Sequence, residues 1–151
     1  FTIDKLGRKK LVSIGCIGML TGFLFLAISL QLDQIGLISL IGVLLFIASF
    51  AMSMGPVVWV VLSEMYPNNI RSVAMSVAVA AQWAANYMVS QSFPIITESP
   101  INESEFWNGS LPYYIFIFFI IFILFFTNKM IPETKNKSLE EIESIWDDRF
   151  S

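Results

Sequence analysis

Four long apolar stretches, separated by short polar segments, organise this sequence. Residues 11–30, 37–63, 72–93 and 111–130 read as hydrophobic runs without the charged face of a soluble amphipathic helix. Across residues 11–63 only Asp33 carries a formal charge, and residues 72–97 and 111–128 contain no Asp, Glu, Lys or Arg. Runs of about 20 apolar residues match a hydrocarbon core about 30 Å thick. The pattern predicts an all-α membrane protein with four transmembrane helices. The second stretch is longer than a bilayer needs, and Gly55-Pro56 within it predicts a break. Proline has no N–H to donate, so the carbonyl of Met52 loses its helical partner.

The charges give the helices a direction. All nine basic residues fall before the first stretch, between the second and third, or after the fourth: Lys5, Arg8, Lys9, Lys10, Arg71, Lys129, Lys135, Lys137 and Arg149. The two opposite loops carry Asp33, Glu98, Glu103 and Glu105 and no Lys or Arg. Basic loops stay on the cytoplasmic side. Residues 1–10 and 131–151 are therefore expected in the cytoplasm, with Trp107, Tyr113 and Tyr114 at the outer interface. Asn102-Glu103-Ser104 and Asn108-Gly109-Ser110 match the N-glycosylation pattern, which arises readily by chance in a loop of this composition. In the tail, Ser138 with Glu141 matches a capping box, and the spacing of Leu139, Ile142, Ile145 and Trp146 predicts one face of a short amphipathic helix, the alternative being a frayed solvated tail.

Composition narrows the function further. Hydrophobic residues make up 56 % of the chain and charged residues 14 %, against roughly 25 % charged in soluble domains. The net charge of −3 offers no basic face for nucleic acid. The chain has no histidine, which removes the commonest general base and metal ligand. Cys16 stands alone and cannot form an internal disulfide. An enzyme, a metal site and a bound cofactor are not expected. The sequence starts at Phe1 inside a charged loop with no signal-peptide pattern, and it reads as the terminal piece of a longer membrane protein.

Some polar and aromatic residues inside the apolar stretches need a reason. Gln82, Asn86 and Ser90 recur every four residues and share one helical face. Gln82 lies about 16 Å along its helix from Arg71, near the membrane midplane. Trp83 is its neighbour, and Trp59 follows the Gly55-Pro56 break by one turn. Broken helices and aromatic residues at the midplane are a common setting for transporter binding sites. Amides that bond hydroxyls and rings that cover a C–H face would suit a sugar. The same amides could instead join helices, each contributing about 0.5–2 kcal/mol. Gly18-x-x-x-Gly22 and the small residues Ala74, Ala78, Ala81 and Ala85 predict close helix packing and no substrate role.

Four motifs in order resemble the sugar porters of the major facilitator superfamily. They are Asp4-Lys5-Leu6-Gly7-Arg8-Lys9; Gly55-Pro56-Val57-Val58-Trp59 with Ser63-Glu64-Met65-Tyr66-Pro67 and Arg71; Ala81-Gln82-Trp83-Ala84-Ala85-Asn86-Tyr87; and Pro132-Glu133-Thr134-Lys135. The likeness is strongest over residues 50–94, toward bacterial xylose–proton symporters. It implies helices nine to twelve of a twelve-helix fold that works by alternating access, with helices one to eight as the partners absent from this sequence. It implies a monosaccharide substrate, a pentose or hexose, held by Trp59, Gln82, Trp83 and Asn86. It also implies a cytoplasmic charge network of Asp4, Arg8, Glu64, Arg71 and Glu133. Asn136 stands where Gly often follows the last motif. Proton symport and facilitative passage of a sugar or polyol both fit the resemblance, and such a piece is not expected to transport alone. From another class, a membrane anchor or receptor-like bundle would use the same polar residues only for packing.

Overall fold

The computed structural model describes residues 7–66 and 69–130, with the side chains of Arg8, Glu64, Met65 and Met130 left aside. The described residues form five helical segments: α1 Arg8–Gln31, α2 Leu37–Met52, α3 Met54–Met65, α4 Arg71–Thr97 and α5 Leu111–Met130. They make four antiparallel rods, because α2 and α3 are one rod broken at Ser53. Three rods, Lys9–Gln31, Leu37–Ser63 and Leu111–Lys129, are long and apolar enough to cross a membrane. The fourth, α4, has the length but not the apolarity, since Gln82, Asn86, Gln91 and five serines and threonines dilute it. The expected tail helix, Asp4 and the Pro132–Lys135 motif lie outside the described residues.

The α1–α2 hairpin is closed by a helix stop. Gln34 N–H donates to the Ser29 carbonyl at 2.8 Å and Asp33 N–H to the Leu30 carbonyl at 3.0 Å. This pair of bonds, with Asp33 in the left-handed region at φ 55°, is the Schellman arrangement with aspartate in the usual glycine position. The chain then reverses and α1 and α2 pack backbone to backbone. A Cβ added to Gly22 would lie 2.6 Å from the Gly42 carbonyl oxygen, and one added to Gly42 would lie 2.7 Å from the Gly22 oxygen. Ser49 and Ser53 of the second rod sit over Gly18 and Gly15 in the same way. Farther along the seam, the buried hydroxyls of Ser29 and Ser39 bond each other at 2.7 Å. Gly18 and Gly22 therefore do what their spacing predicts, and Gly15 and Gly42 extend the contact.

The break in the second rod falls at Ser53 (φ −126°, ψ −81°), two residues before Gly55. The sequence expectation placed it at Gly55-Pro56. The displacement has a steric cause. A proline ring clashes with the carbonyl four residues earlier, here Met52, so the helix ends at Met52 and restarts at Met54. Pro56 then occupies the first turn of α3, where N–H groups have no helical partner. Val57 N–H resumes the ladder on the Ser53 carbonyl at 3.0 Å, and the Ser53 hydroxyl donates to the Ser49 carbonyl at 2.6 Å across the break.

The buried core joins Leu11, Val12, Cys16 and Met19 of α1 to Val57 and Val61 of α3 and Ile120 of α5. Both ends of the α1–α5 pair are tied. Lys9 Nζ donates to the Asn128 carbonyl at 2.6 Å. At the other end Tyr114 donates to Gln31 Oε1 at 3.0 Å, and Gln31 Nε2 donates to the Phe106 carbonyl at 2.8 Å. The 98–110 loop folds around Asn102, whose buried amide donates to the Thr97 carbonyl at 2.9 Å and accepts from Leu111 N–H at 3.1 Å. Asn108 donates to the Leu30 carbonyl at 2.7 Å.

Helix α4 departs from the expected 72–93 stretch by continuing through Pro94 to Thr97. Pro94 costs one ladder bond, but its own carbonyl accepts from Glu98 N–H and from the Thr97 hydroxyl, both at 2.9 Å, so the last turn closes. No residue of α4 is buried against the described structure. Of the small-residue stripe, Ala74 and Ala78 are half-buried, Ala78 lining a cleft, whereas Ala81 and Ala85 are exposed among the described residues.

Candidate functional site

The helix break and α4 enclose a cleft of about 360 Å³ lined by Phe50, Met54, Gly55, Val58, Trp59, Leu62, Ala78 and Gln82. Its position follows from local chemistry. Gly55, Val58, Trp59 and Leu62 recur at three- and four-residue steps and form one face of α3. Ala78 and Gln82 do the same on α4. Gly55 keeps the floor low: a Cβ there would meet only the Phe50 carbonyl at 3.4 Å and its ring at 3.8 Å. The lining is apolar except for the Gln82 amide. This combination of shaped apolar walls and few polar groups is the usual make-up of a small-molecule site.

Of the residues singled out in the sequence, the structure brings Gly55, Trp59 and Gln82 to one cavity. Trp59 is 39 % exposed, with the rest of its ring covered by the cleft wall. Pro56, Trp83 and Asn86 are not part of the lining. Trp83 is 67 % exposed and turned away from the cleft, one residue and so about 100° round from Gln82. Asn86 lies one turn beyond Gln82 on the same face and is exposed. Sequence reasoning missed Phe50, Met54, Val58 and Leu62, and it assigned Ala78 to packing alone although Ala78 lines the cleft. The signal of the first four was present in the helical spacing around Trp59, but apolar residues in an apolar stretch carry no mark of their own.

Of the expected charge network, the described side chains include only Arg71. Its Nε donates to the Tyr66 carbonyl at 3.2 Å and pins the turn between α3 and α4. Asp4 and Glu133 lie outside the described residues. Arg8 and Glu64 are placed by their backbones at the start of α1 and the end of α3. Among the described residues no cluster of His, Cys, Asp and Glu is arranged to hold a metal ion.

Comparison with known proteins bears on this geometry. The family described as sugar (and other) transporter matches residues 1–146. The D-xylose-proton symporter of Escherichia coli (strain K12) is 44 % identical over 146 residues, which are 97 % of this chain and 30 % of that protein. The glucose facilitated diffusion protein of Zymomonas mobilis is 40 % identical over 144 residues, 95 % of this chain and 30 % of that protein. A solved structure of a major facilitator superfamily proton:xylose symporter bound to 6-bromo-6-deoxy-D-glucose superposes with a TM-score of 0.85 at 44 % identity. The match covers 96 % of this chain and 30 % of that one. The chain thus spans about 30 % of the length of the curated relatives it matches.

Proposed function

The chain belongs to the sugar (and other) transporter family of the major facilitator superfamily, and from this membership we propose that it forms one wall of a sugar pathway that works by alternating access. It is a multi-pass membrane protein with the fold of the C-terminal part of that superfamily's twelve helices. The observation that carries the proposal is the cleft at the helix break, where the Trp59 ring and the Gln82 amide line one cavity. An indole face covers the C–H face of a pyranose, and a primary amide bonds adjacent hydroxyls as donor and acceptor. Asn86, one turn beyond Gln82 on the same face, extends the site toward helices outside this sequence, whereas Trp83 faces away from the cleft and would meet sugar only through those helices.

The substrate in this reading is a pentose or hexose of the xylose type, supported by relatives named for xylose and glucose. Proton symport is the leading form. Facilitated diffusion is the second reading, supported by the Zymomonas relative; α1, α2, α4 and α5 carry no carboxylate, which fits either form. A coupling carboxylate would have to sit in the other helices. The end of the bundle that carries all nine basic residues faces the cytoplasm. There Asp4, Arg8, Glu64, Arg71 and Glu133 form a charge network that biases one access state.

Gln82→Ala and Trp59→Ala in the full-length protein test the site. Each is expected to weaken sugar binding by about tenfold or more, the effect of losing roughly 1.4 kcal/mol. Undiminished binding and uptake in both variants would leave the packing role alone. Sugar-driven pH change in proteoliposomes separates symport from facilitation.

A further inference from the structure

Helix α4 supplies Gln82 to the cleft, yet it is the least anchored element of the fold. Every residue from Ala80 to Ser92 is exposed, and burial resumes at Phe93. The Phe93 ring stacks on Phe116 of α5 with centroids 6.0 Å apart and planes 9° apart. Among the described residues this is the one aromatic contact α4 makes with the rest of the bundle. Phe116 stacks in turn on Phe23 of α1 at 5.7 Å, Phe23 on Phe46 of α2 at 4.1 Å, and Phe46 on Phe50 at 6.4 Å. Phe50 lines the cleft. One series of five rings therefore runs from the α4 wall of the cavity, through the packed rods, to the α2 wall.

We propose that Phe93 and Phe116 are positioning residues whose stack sets the width of the cleft and so the place of Gln82 relative to Trp59. The inference rests on the sugar-site reading above but touches no sugar itself. At the same end the Asn102 amide bridges the Thr97 carbonyl to Leu111 N–H of α5, and at the opposite end Arg71 bonds the Tyr66 carbonyl and Ala74, Met75, Ala78 and Val79 are half-buried. Gln82 lies between the two ends, so loosening the stack lets the middle of α4 drift from α3. Aromatic stacking suits the anchor because its offset geometry fixes both separation and angle. In lipid, where apolar surface alone does not hold helices together, such geometric contacts carry the association.

The test uses the full-length protein in a background free of other cysteines, with Ala78→Cys as a reporter inside the cleft. Labelling by a small thiol reagent is measured without sugar, and sugar affinity is measured without the reporter. Phe116→Ala and Phe93→Ala are each expected to speed labelling several-fold and to weaken sugar binding by about tenfold. The double variant should do little more than Phe116→Ala, which already removes the contact with Phe93 along with its own stack on Phe23. Phe116→Tyr, which keeps the ring, should restore both readouts. Unchanged labelling in both alanine variants overturns the proposal, whatever the affinity does. Faster labelling with unchanged affinity also overturns it, because the stack then anchors α4 without placing Gln82. If Gln82→Ala leaves affinity intact, the sugar-site reading fails instead, and the labelling rates still decide whether the stack holds α4.

Discussion

Where α1 meets α2, two backbones touch; where α3 meets α4, side chains of both helices, with Phe50 of α2 and Gly55, line a void. Both contacts involve the broken second rod, and the difference lies in the size and polarity of the side chains that face it. Gly15, Gly18, Gly22 and Gly42, with Ser49 and Ser53 opposite, leave nothing between the first two rods. Trp59, Met54 and Leu62 hold the other pair apart. Within a bilayer, Leu gains nothing by leaving lipid for protein, so close packing comes from small residues and a few polar bonds. A bulky, partly polar face is then sufficient to keep a cavity open. The same bundle can be rigid on one side and receptive on the other without any change of secondary structure.

Substitutions can break or sharpen this contrast. The largest effect is expected at Gly22→Leu, whose Cβ alone would lie 2.6 Å from the Gly42 oxygen and 2.8 Å from the Phe46 nitrogen. Backbone cannot yield as a flexible side chain does. A loss of about 3 kcal/mol or more, seen as a collapse of folded yield and thermal midpoint in detergent, is the expected outcome. Ser29→Ala removes half of the buried hydroxyl pair with Ser39. It should cost about 1 kcal/mol, measurable as a small drop in midpoint. Asp33→Gly relieves a left-handed aspartate in the hairpin stop. A gain of about 0.5 kcal/mol is expected, and a loss would mean that the aspartate side chain holds the turn. On the open side, Gln82→Ala should leave the midpoint unchanged within about 0.5 kcal/mol, because exposed positions contribute little to stability. A large loss there would show that Gln82 joins helices and would erase the distinction between the two regions.

The architecture was legible in the sequence for a simple reason: hydrocarbon thickness fixes span length, and a charge inside a span is costly. Gly18 and Gly22 were visible because their spacing has one physical use. Gly15, Gly42, Ser49 and Ser53 were not, since their role depends on the rod opposite. The break was anticipated but misplaced, because the steric effect of Pro56 acts four residues upstream of the ring itself. The third stretch ran past its expected end at residue 93 because the turn after Pro94 closes on the Pro94 carbonyl, which accepts from Glu98 N–H and the Thr97 hydroxyl. Gln82 and Trp59 stood out as polar or aromatic anomalies at midplane depth. Trp83 shared that anomaly, and only the helix rotation separates it from the cleft. The phenylalanine series was invisible, because in a chain with 14 phenylalanines no single one is marked.

The short turn at Asp33 has a consequence for how the chain is made. It brings Gly22 and Gly42 together through neighbouring segments of sequence, so the tightest contact of the bundle is also among the most local. A ribosome that has delivered residues up to Ser53 into the membrane has delivered every glycine and serine of that seam, before any residue of the cleft's α3 and α4 walls has been synthesised. The hairpin can thus serve as the first settled unit in the bilayer, against which the later helices are sorted as they arrive.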